Sequence, residues 1–441
     1  MKEILRIFIF SILYYFITSE SLLKVALIFL VTLILLISLD FFQRKNCSFK
    51  FLLITSFLLL IPLTLNKEMQ SIFLPIGYQY IYISIISSLI YIDSRRINLQ
   101  VSLEKRLYHS FNAALAPTSY LSGPSATFEE INNIGKKNIV LPTYQNLNLQ
   151  NLQLAISGGM RISLGLYLNT INPNVFHNYF LFGNSFIIYK MLILIVFGFF
   201  NFWRYYLLFS GASELCKSFL SLFDIKVIDN FKNPEIAIFY HEIWNKWHLN
   251  ITKRIKDFVY TPLTLFALRN FNLINRHGKF LIIEGLPVIV LFLVLSLWHG
   301  GKQSDFIFGG LSSILTILSR ALSQNFQFKE QLQRNQISKE IIRFFSLTLF
   351  GIILGIYEWS YQITKYGKVE VNNIILVFVV SLIIYIYYRL KIKFSNFINS
   401  DTKLKFLDTY LFLFEALLTI YINLFLIIDL DKINDFIYFA N

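Results

Sequence analysis

The stretch from Leu286 to Trp298 (LPVIVLFLVLSLW) carries no charge and a single hydroxyl, and it runs directly into His299-Gly300-Gly301. Comparable apolar blocks recur at about 4–18, 22–39, 51–65, 71–92, 152–169, 180–206, 257–273, 280–298, 304–319, 340–359, 372–389 and 406–428. A helix of roughly 20 residues crosses a bilayer, so most of these blocks have spanning length. Backbone in hydrocarbon must satisfy its own hydrogen bonds, which leaves helices or closed barrels. Barrel strands alternate apolar and polar residues, whereas these blocks are continuous. The expected fold is therefore all-α: a polytopic integral membrane protein with about 11 transmembrane helices, plus re-entrant or interfacial segments around a central cavity. The first and third blocks are short and are expected to be tilted or shallow. Thr18-Ser19-Glu20 leads straight into the second block with no small-residue cleavage site, so the opening block is read as retained.

Charge distribution separates two readings of the net charge of +14. Only 15% of the residues are charged and 55% are hydrophobic, against about a quarter charged in soluble domains. The basic residues gather in short loops: Arg44-Lys45, Arg95-Arg96, Lys105-Arg106, Lys136-Lys137, Lys329 to Arg343 and Arg389 to Lys405. This pattern follows the positive-inside rule and points to the anionic inner leaflet, with no nucleic-acid partner. The loops near 40–50, 93–106, 320–340 and 390–405 are then cytoplasmic. The connections near 66–70 and 360–371 and the tail after 428 lie outside, and so does the hairpin after Trp298. Cys47 and Cys216 are too few and too far apart to make a disulfide framework or a metal site.

Three stretches interrupt the apolar pattern, at 108–150, 207–235 and 240–256. They contain Tyr120-Leu121-Ser122-Gly123-Pro124, Phe209-Ser210-Gly211 and Asn233-Pro234. Irregular backbone at membrane depth is tolerated where it is buried in protein or lines a cavity. These segments are expected to form the partly hydrated centre.

Two Trp-His pairs carry the chemistry: Trp247-His248 and Trp298-His299. Read as one helix, Trp244 to His248 would put Trp244, Asn245 and His248 on a shared face. An imidazole among apolar groups loses proton affinity through desolvation, and its neutral form can act as a base. His299 is thus a candidate general base for a hydroxyl attacking an acyl group. A histidine beside tryptophan at a helix end is equally an ordinary membrane-interface residue. His109, His177, His241 and His277 sit in polar or loop-like contexts and are assigned structural roles. No HExxH, cysteine cluster or carboxylate at ligand spacing accompanies either pair, so no metal is expected.

Several blocks, in order from about 72 to 320, resemble the membrane-bound O-acyltransferase family. The likeness is to its bacterial branch of alginate and peptidoglycan O-acetylation and teichoic-acid D-alanyl transfer. They are Tyr91-Ile92-Asp93, Ser119-Tyr120-Leu121-Ser122-Gly123-Pro124, Phe209-Ser210-Gly211, Phe231-Lys232-Asn233-Pro234, Ile243-Trp244-Asn245-Lys246-Trp247-His248, Asp257-Phe258-Val259-Tyr260-Thr261-Pro262-Leu263 and Leu297-Trp298-His299-Gly300. The chain departs from the family pattern at Leu208 (usually aspartate), Ile243 (an aromatic), Lys246 (arginine) and Ser125 (an aliphatic residue).

The resemblance implies a catalytic core over 71–320, while hydropathy alone places N-terminal transmembrane helices over 1–70 and C-terminal helices over 321–441. It implies catalytic roles for His299 and His248, and substrate contacts from Asn245, Trp244 and Trp298. The donor it implies is an acyl-CoA, such as acetyl-CoA, or an acyl-carrier thioester; the acceptor is a hydroxyl of an extracytoplasmic glycan or cell-envelope polymer. The protein would lie in the cytoplasmic membrane as a multi-pass enzyme, with a periplasmic or extracellular acyltransferase or esterase-like partner. Two alternatives stand beside this reading: a same-family enzyme acting on a lipid or protein, and a transporter or flippase with structural Trp-His pairs. The latter predicts paired intramembrane charges and repeated halves. The halves do not resemble each other, and Glu284 and Glu415 lack obvious partners in the sequence.

Overall fold

The computed structural model describes residues 149–170, 187–222, 227–271, 276–299, 301–325, 335–362 and 372–398, with isolated residues elsewhere. The expected helices of 1–70, the blocks at Tyr91–Asp93 and Ser119–Pro124, His109, His177, Gly300 and the chain after 398 lie outside the described residues. Part of the predicted count of crossings falls there too.

The described residues are helical throughout, with no strand among them. The main helices are α1 (Leu149–Thr170), α2 (Ile187–Ser221), α3 (Tyr240–Trp244), α4 (Leu249–Ile255), α5 (Thr261–Asn270), α6 (Arg276–Phe280), α7 (Leu286–Trp298), α8 (Gln303–Ser323), α9 (Gln336–Gln362) and α10 (Asn372–Ile398). Among the described residues, three stretches are long and apolar enough to cross a membrane: Lys190–Ser221, Gly278–Trp298 and Gln303–Ser323.

The longest helix, α2, is the hub and packs against α1, α9 and α10. Its Phe199, Phe202, Trp203 and Tyr206 are almost wholly buried, together with Phe350 of α9 and Tyr388 of α10. Close backbone approach explains the small residues in this packing. A Cβ on Gly158 of α1 would lie 2.8 Å from the Gly211 carbonyl oxygen, and one on Gly211 would lie 2.7 Å from that of Gly158. Helices associate through such small-residue contacts where lipid supplies no hydrophobic drive between them. The expectation of an irregular segment from 207 is therefore corrected. Phe209-Ser210-Gly211 lies inside α2, which continues to Ser221, because Gly211 serves helix packing rather than a turn.

Helix α8 has the polarity expected of a membrane helix. Ile307, Leu311, Ile314, Leu318 and Leu322 are exposed along one face. Ser304, Gly309, Ser312, Ser313, Thr316 and Ser319 are buried on the other. Apolar residues face outward and small polar ones inward, the reverse of a water-soluble helix.

The hairpin between α7 and α8 is held by specific bonds. Ser296 Oγ donates within hydrogen-bond distance of both the Phe292 oxygen (2.9 Å) and the Asp305 oxygen (2.7 Å). Gly301 adopts a φ of 65° and its N–H bonds the Ser296 oxygen at 3.0 Å. That left-handed turn is strained for residues with a side chain. His299 caps α7, its N–H donating to the Leu295 oxygen at 3.0 Å.

Two π turns, Lys256–Tyr260 and Leu281–Gly285, precede Pro262 and Pro287. Their closing N–H groups, of Thr261 and Leu286, reach back five residues to the oxygens of Lys256 and Leu281. Proline lacks an N–H and clashes with the preceding turn, so the ladder widens by one residue just before it.

Candidate active site

The segment carrying the first Trp-His pair is not one helix. Helix α3 ends at Trp244, Asn245 and Lys246 turn, and His248 sits in left-handed conformation at φ 49° before α4 begins. The shared helical face of Trp244, Asn245 and His248 does not form. The cause is a clamp from the 230–232 segment: Lys232 N–H bonds the Lys246 oxygen at 2.9 Å, and Leu249 N–H bonds the Asn230 oxygen at 2.8 Å. These backbone bonds hold the turn open on both sides of His248. Trp247 anchors the turn in the aromatic core, with ring centroids 5.1 Å from Phe231 and 4.9 Å from Phe350.

His248 is half-buried between Phe209 and Phe231, at centroid distances of 6.2 and 5.8 Å. Its Nδ1 lies 3.1 Å from Asn230 Oδ1. His299, also half-buried, meets the Trp298 ring at 4.6 Å and Phe308 at 5.8 Å. Both rings keep some accessible surface. Burial lowers His248 to about 3, helped by the proximity of His299, and lowers His299 to about 4. His299, from a separate segment, thus lies within electrostatic reach of His248. Desolvation is the main cause for both, so the neutral, proton-accepting form prevails at physiological pH.

A slot with a cavity volume of about 50 Å³ lies between the two short helices and the α7–α8 hairpin. Val288, Leu291, Phe292 and Leu295 form its apolar wall along one stripe of α7, and Trp244 and Asn245 line the opposite side. Its other lining residues are polar or cationic: His241, Thr252, Lys256, Tyr260, Thr316 and Arg320. Arg320 Nη1 donates to Tyr260 Oη at 2.8 Å. Among the described residues, Thr316 Oγ1 has no protein partner, while the Trp244 side chain interacts with Tyr240. The wall leads toward His299, since Leu295 accepts the His299 N–H and Trp244 and His299 both touch Phe308. From Phe308 to Arg320 is about 18 Å along α8.

Among the residues singled out in the sequence, Trp244 and Asn245 line the slot, with Asn245 exposed. His248 and His299 approach each other, while Trp298 is buried against His299 and is not among the slot residues. Three residues were missed. His241, assigned a structural role, lines the slot and has both its N–H and Nδ1 3.0 Å from Ser319 Oγ. Asn230 and Ser213 support His248. No local signal marks any of these three, because each acts through a contact distant in sequence. Glu284, which lacked an evident partner, accepts from Gln324 Nε2 at 3.0 Å and pairs with Arg320 at 3.8 Å. Among the described residues no group of three or more His, Cys, Asp or Glu is arranged to hold a metal.

Lipid-facing apolar helices around a pair of enclosed imidazoles define the class: a helical membrane protein with a polar interior site. Several named proteins are similar to part of the chain. A peptidoglycan O-acetyltransferase of Helicobacter pylori is 29% identical over 115 residues, 26% of this chain and 20% of that protein. A teichoic acid D-alanyltransferase of Streptococcus thermophilus is 29% identical over 118 residues, 27% of this chain and 26% of that protein. A probable alginate O-acetylase AlgI of Pseudomonas putida is 28% identical over 114 residues, 26% and 21% of the two chains. The chain thus spans about a quarter or less of the length of these relatives. They are membrane-bound O-acyltransferases, and the resemblance read from the motifs holds at this level. No protein-family model matches the chain.

Proposed function

We propose that the protein is an O-acyltransferase of the cytoplasmic membrane. It moves an acyl group, acetyl in the simplest case, from a cytoplasmic thioester to a hydroxyl of an extracytoplasmic glycan or other cell-envelope polymer. The observation that carries this reading is the convergence of His248 and His299, on separate segments, beside a slot with a cationic end. Relatives named for acyl transfer to peptidoglycan, teichoic acid and alginate support the reaction class.

In this reading Lys256 and Arg320 attract the phosphate of a coenzyme A or carrier-borne thioester, and the apolar wall of α7 guides its arm toward His299. Thr316 Oγ1 is a donor available to a carbonyl group of that arm. His299 accepts the proton of the acceptor hydroxyl as its oxygen attacks the thioester carbonyl carbon. The C–S bond breaks, the imidazolium returns the proton to the departing sulfur, and an ester and a free thiol result. His248, with Asn245, orients the acyl group at the thioester carbonyl in this reading. An exported partner protein completes delivery to the polymer.

The test compares envelope polysaccharide from cells carrying the wild-type protein and His299→Ala. Base-released acyl groups are identified and quantified by chromatography. A marked loss of one ester-linked acid in the variant is expected, and its identity gives the acyl group. Unchanged acylation with equal protein in the membrane would overturn the proposal.

A further inference from the structure

We propose that Asn230, braced by Ser213, is a positioning residue that holds His248 in the Nδ1–H tautomer and makes Nε2 its lone-pair nitrogen. The consequence for catalysis rests on the acyl-transfer reading; the tautomer assignment rests on geometry alone.

The reasoning begins with a group that has only one role. The Asn250 backbone N–H can only donate, and it points to Asn230 Oδ1 at 3.1 Å. The side-chain atom there must therefore be the amide oxygen, since the opposite flip would set an NH₂ group against an N–H. The other end of the amide agrees, with Nδ2 donating to Ser213 Oγ at 2.9 Å. An amide oxygen only accepts, so the His248 Nδ1 at 3.1 Å must carry a hydrogen. In a neutral imidazole the lone pair then falls on Nε2.

The arrangement has little freedom to change. Asn230 is 3% exposed, Ser213 belongs to α2, and the Asn230 main-chain oxygen accepts the Leu249 N–H at 2.8 Å. One residue thus grips the chain immediately after His248 by its backbone and side chain together. A buried acceptor left facing a lone pair disfavours the other tautomer by about ten- to a hundredfold. Ordering the ring this way matters because only one nitrogen can serve the reaction in a given geometry.

The experiment uses the full chain in lipid nanodiscs with ¹⁵N-labelled histidine. Nitrogen NMR distinguishes protonated from lone-pair ring nitrogens, and subtraction of the His248→Gln spectrum assigns the His248 signals. The wild type should show Nδ1 protonated and Nε2 bare. Asn230→Ala should give a mixture of tautomers, whereas Asn230→Asp, which keeps the accepting oxygen, should retain the wild-type pattern. Ser213→Ala, a milder change within α2, should broaden the preference if Asn230→Ala fails to fold. In parallel, Asn230→Ala should lower kcat at least tenfold with little change in KM for the donor, and Asn230→Asp should restore most of it. An Nε2-protonated wild-type ring, or a tautomer indifferent to both Asn230→Ala and Ser213→Ala, overturns the proposal. The expected spectra without acyl transfer by any form, wild type included, would support the tautomer assignment and sink the acyl-transfer reading instead.

Discussion

Replacing His299 by alanine separates chemistry from architecture more cleanly than any other change in this protein. The backbone bond from residue 299 to the Leu295 oxygen survives the substitution, as does the Ser296 contact that fixes the hairpin. What is lost is a half-buried ring touching Trp298 and Phe308. Aromatic contacts contribute about 0.5–1.5 kcal/mol each, so stability should fall modestly. A positioned general base contributes about 10² to 10⁴ in rate, which at 1.36 kcal/mol per factor of ten is about 3–5 kcal/mol of barrier. The variant in nanodiscs should melt close to the wild type yet release thiol from an acyl thioester at least a hundredfold more slowly in the presence of acceptor. The wild-type pH profile supplies an internal control. Burial lowers His299 to about 4, so its basic form is complete above roughly pH 5 and the free-enzyme rate should be flat from there to neutrality. Turnover within threefold of wild type, at unchanged melting temperature, would refute the assignment; an acid limb centred near 6.5 would refute the dry environment argued for the ring.

Three other outcomes follow from the geometry. Arg320→Met removes the guanidinium from the cationic end of the slot and should raise KM for a phosphorylated donor about tenfold with kcat nearly unchanged, as expected for lost uniform binding; steady-state kinetics with an unchanged KM would rule out the phosphate contact. Gly158→Ala forces a Cβ to within 2.8 Å of the Gly211 oxygen, whereas Gly159→Ala meets nothing within 4 Å. The first should cost about 1–3 kcal/mol by overpacking and lower the detergent melting temperature while the second leaves it unchanged, and equal melting of the two would contradict the close α1–α2 contact. Glu235 is fully buried, and desolvation raises its carboxyl to about 7. Its folded value lies above the unfolded one, so the stability present below the unfolded pKa is lost as pH rises through 7. Glu235→Gln should therefore stabilise the protein more at pH 8 than at pH 5 in thermal melts, and a gain independent of pH would count against a buried, ionising carboxylate.

The membrane class was legible because hydropathy is a local property. A run such as Leu286–Trp298 needs no knowledge of its neighbours to be recognised as a spanning segment, and the structure extends it to Gly278–Trp298. The Trp-His pairs were also visible, since their residue types are unusual against apolar flanks. Local reading went wrong where a residue's meaning depends on a partner. Gly211 looked like a turn and proved to be a helix contact with Gly158. The helix predicted through Trp244–His248 breaks because Lys232 and Asn230 bond across it.

Sequence by itself determined that this chain builds apolar helices suited to a bilayer and that imidazoles stand at two of their polar breaks. Tertiary structure alone decided that those imidazoles approach each other, that Asn230 orients one of them, and that His241, Lys256 and Arg320 gather along one slot. The difference is physical: burial in lipid is dictated by short stretches of side chains, whereas a hydrogen-bonded site is a set of distances between residues far apart in the chain.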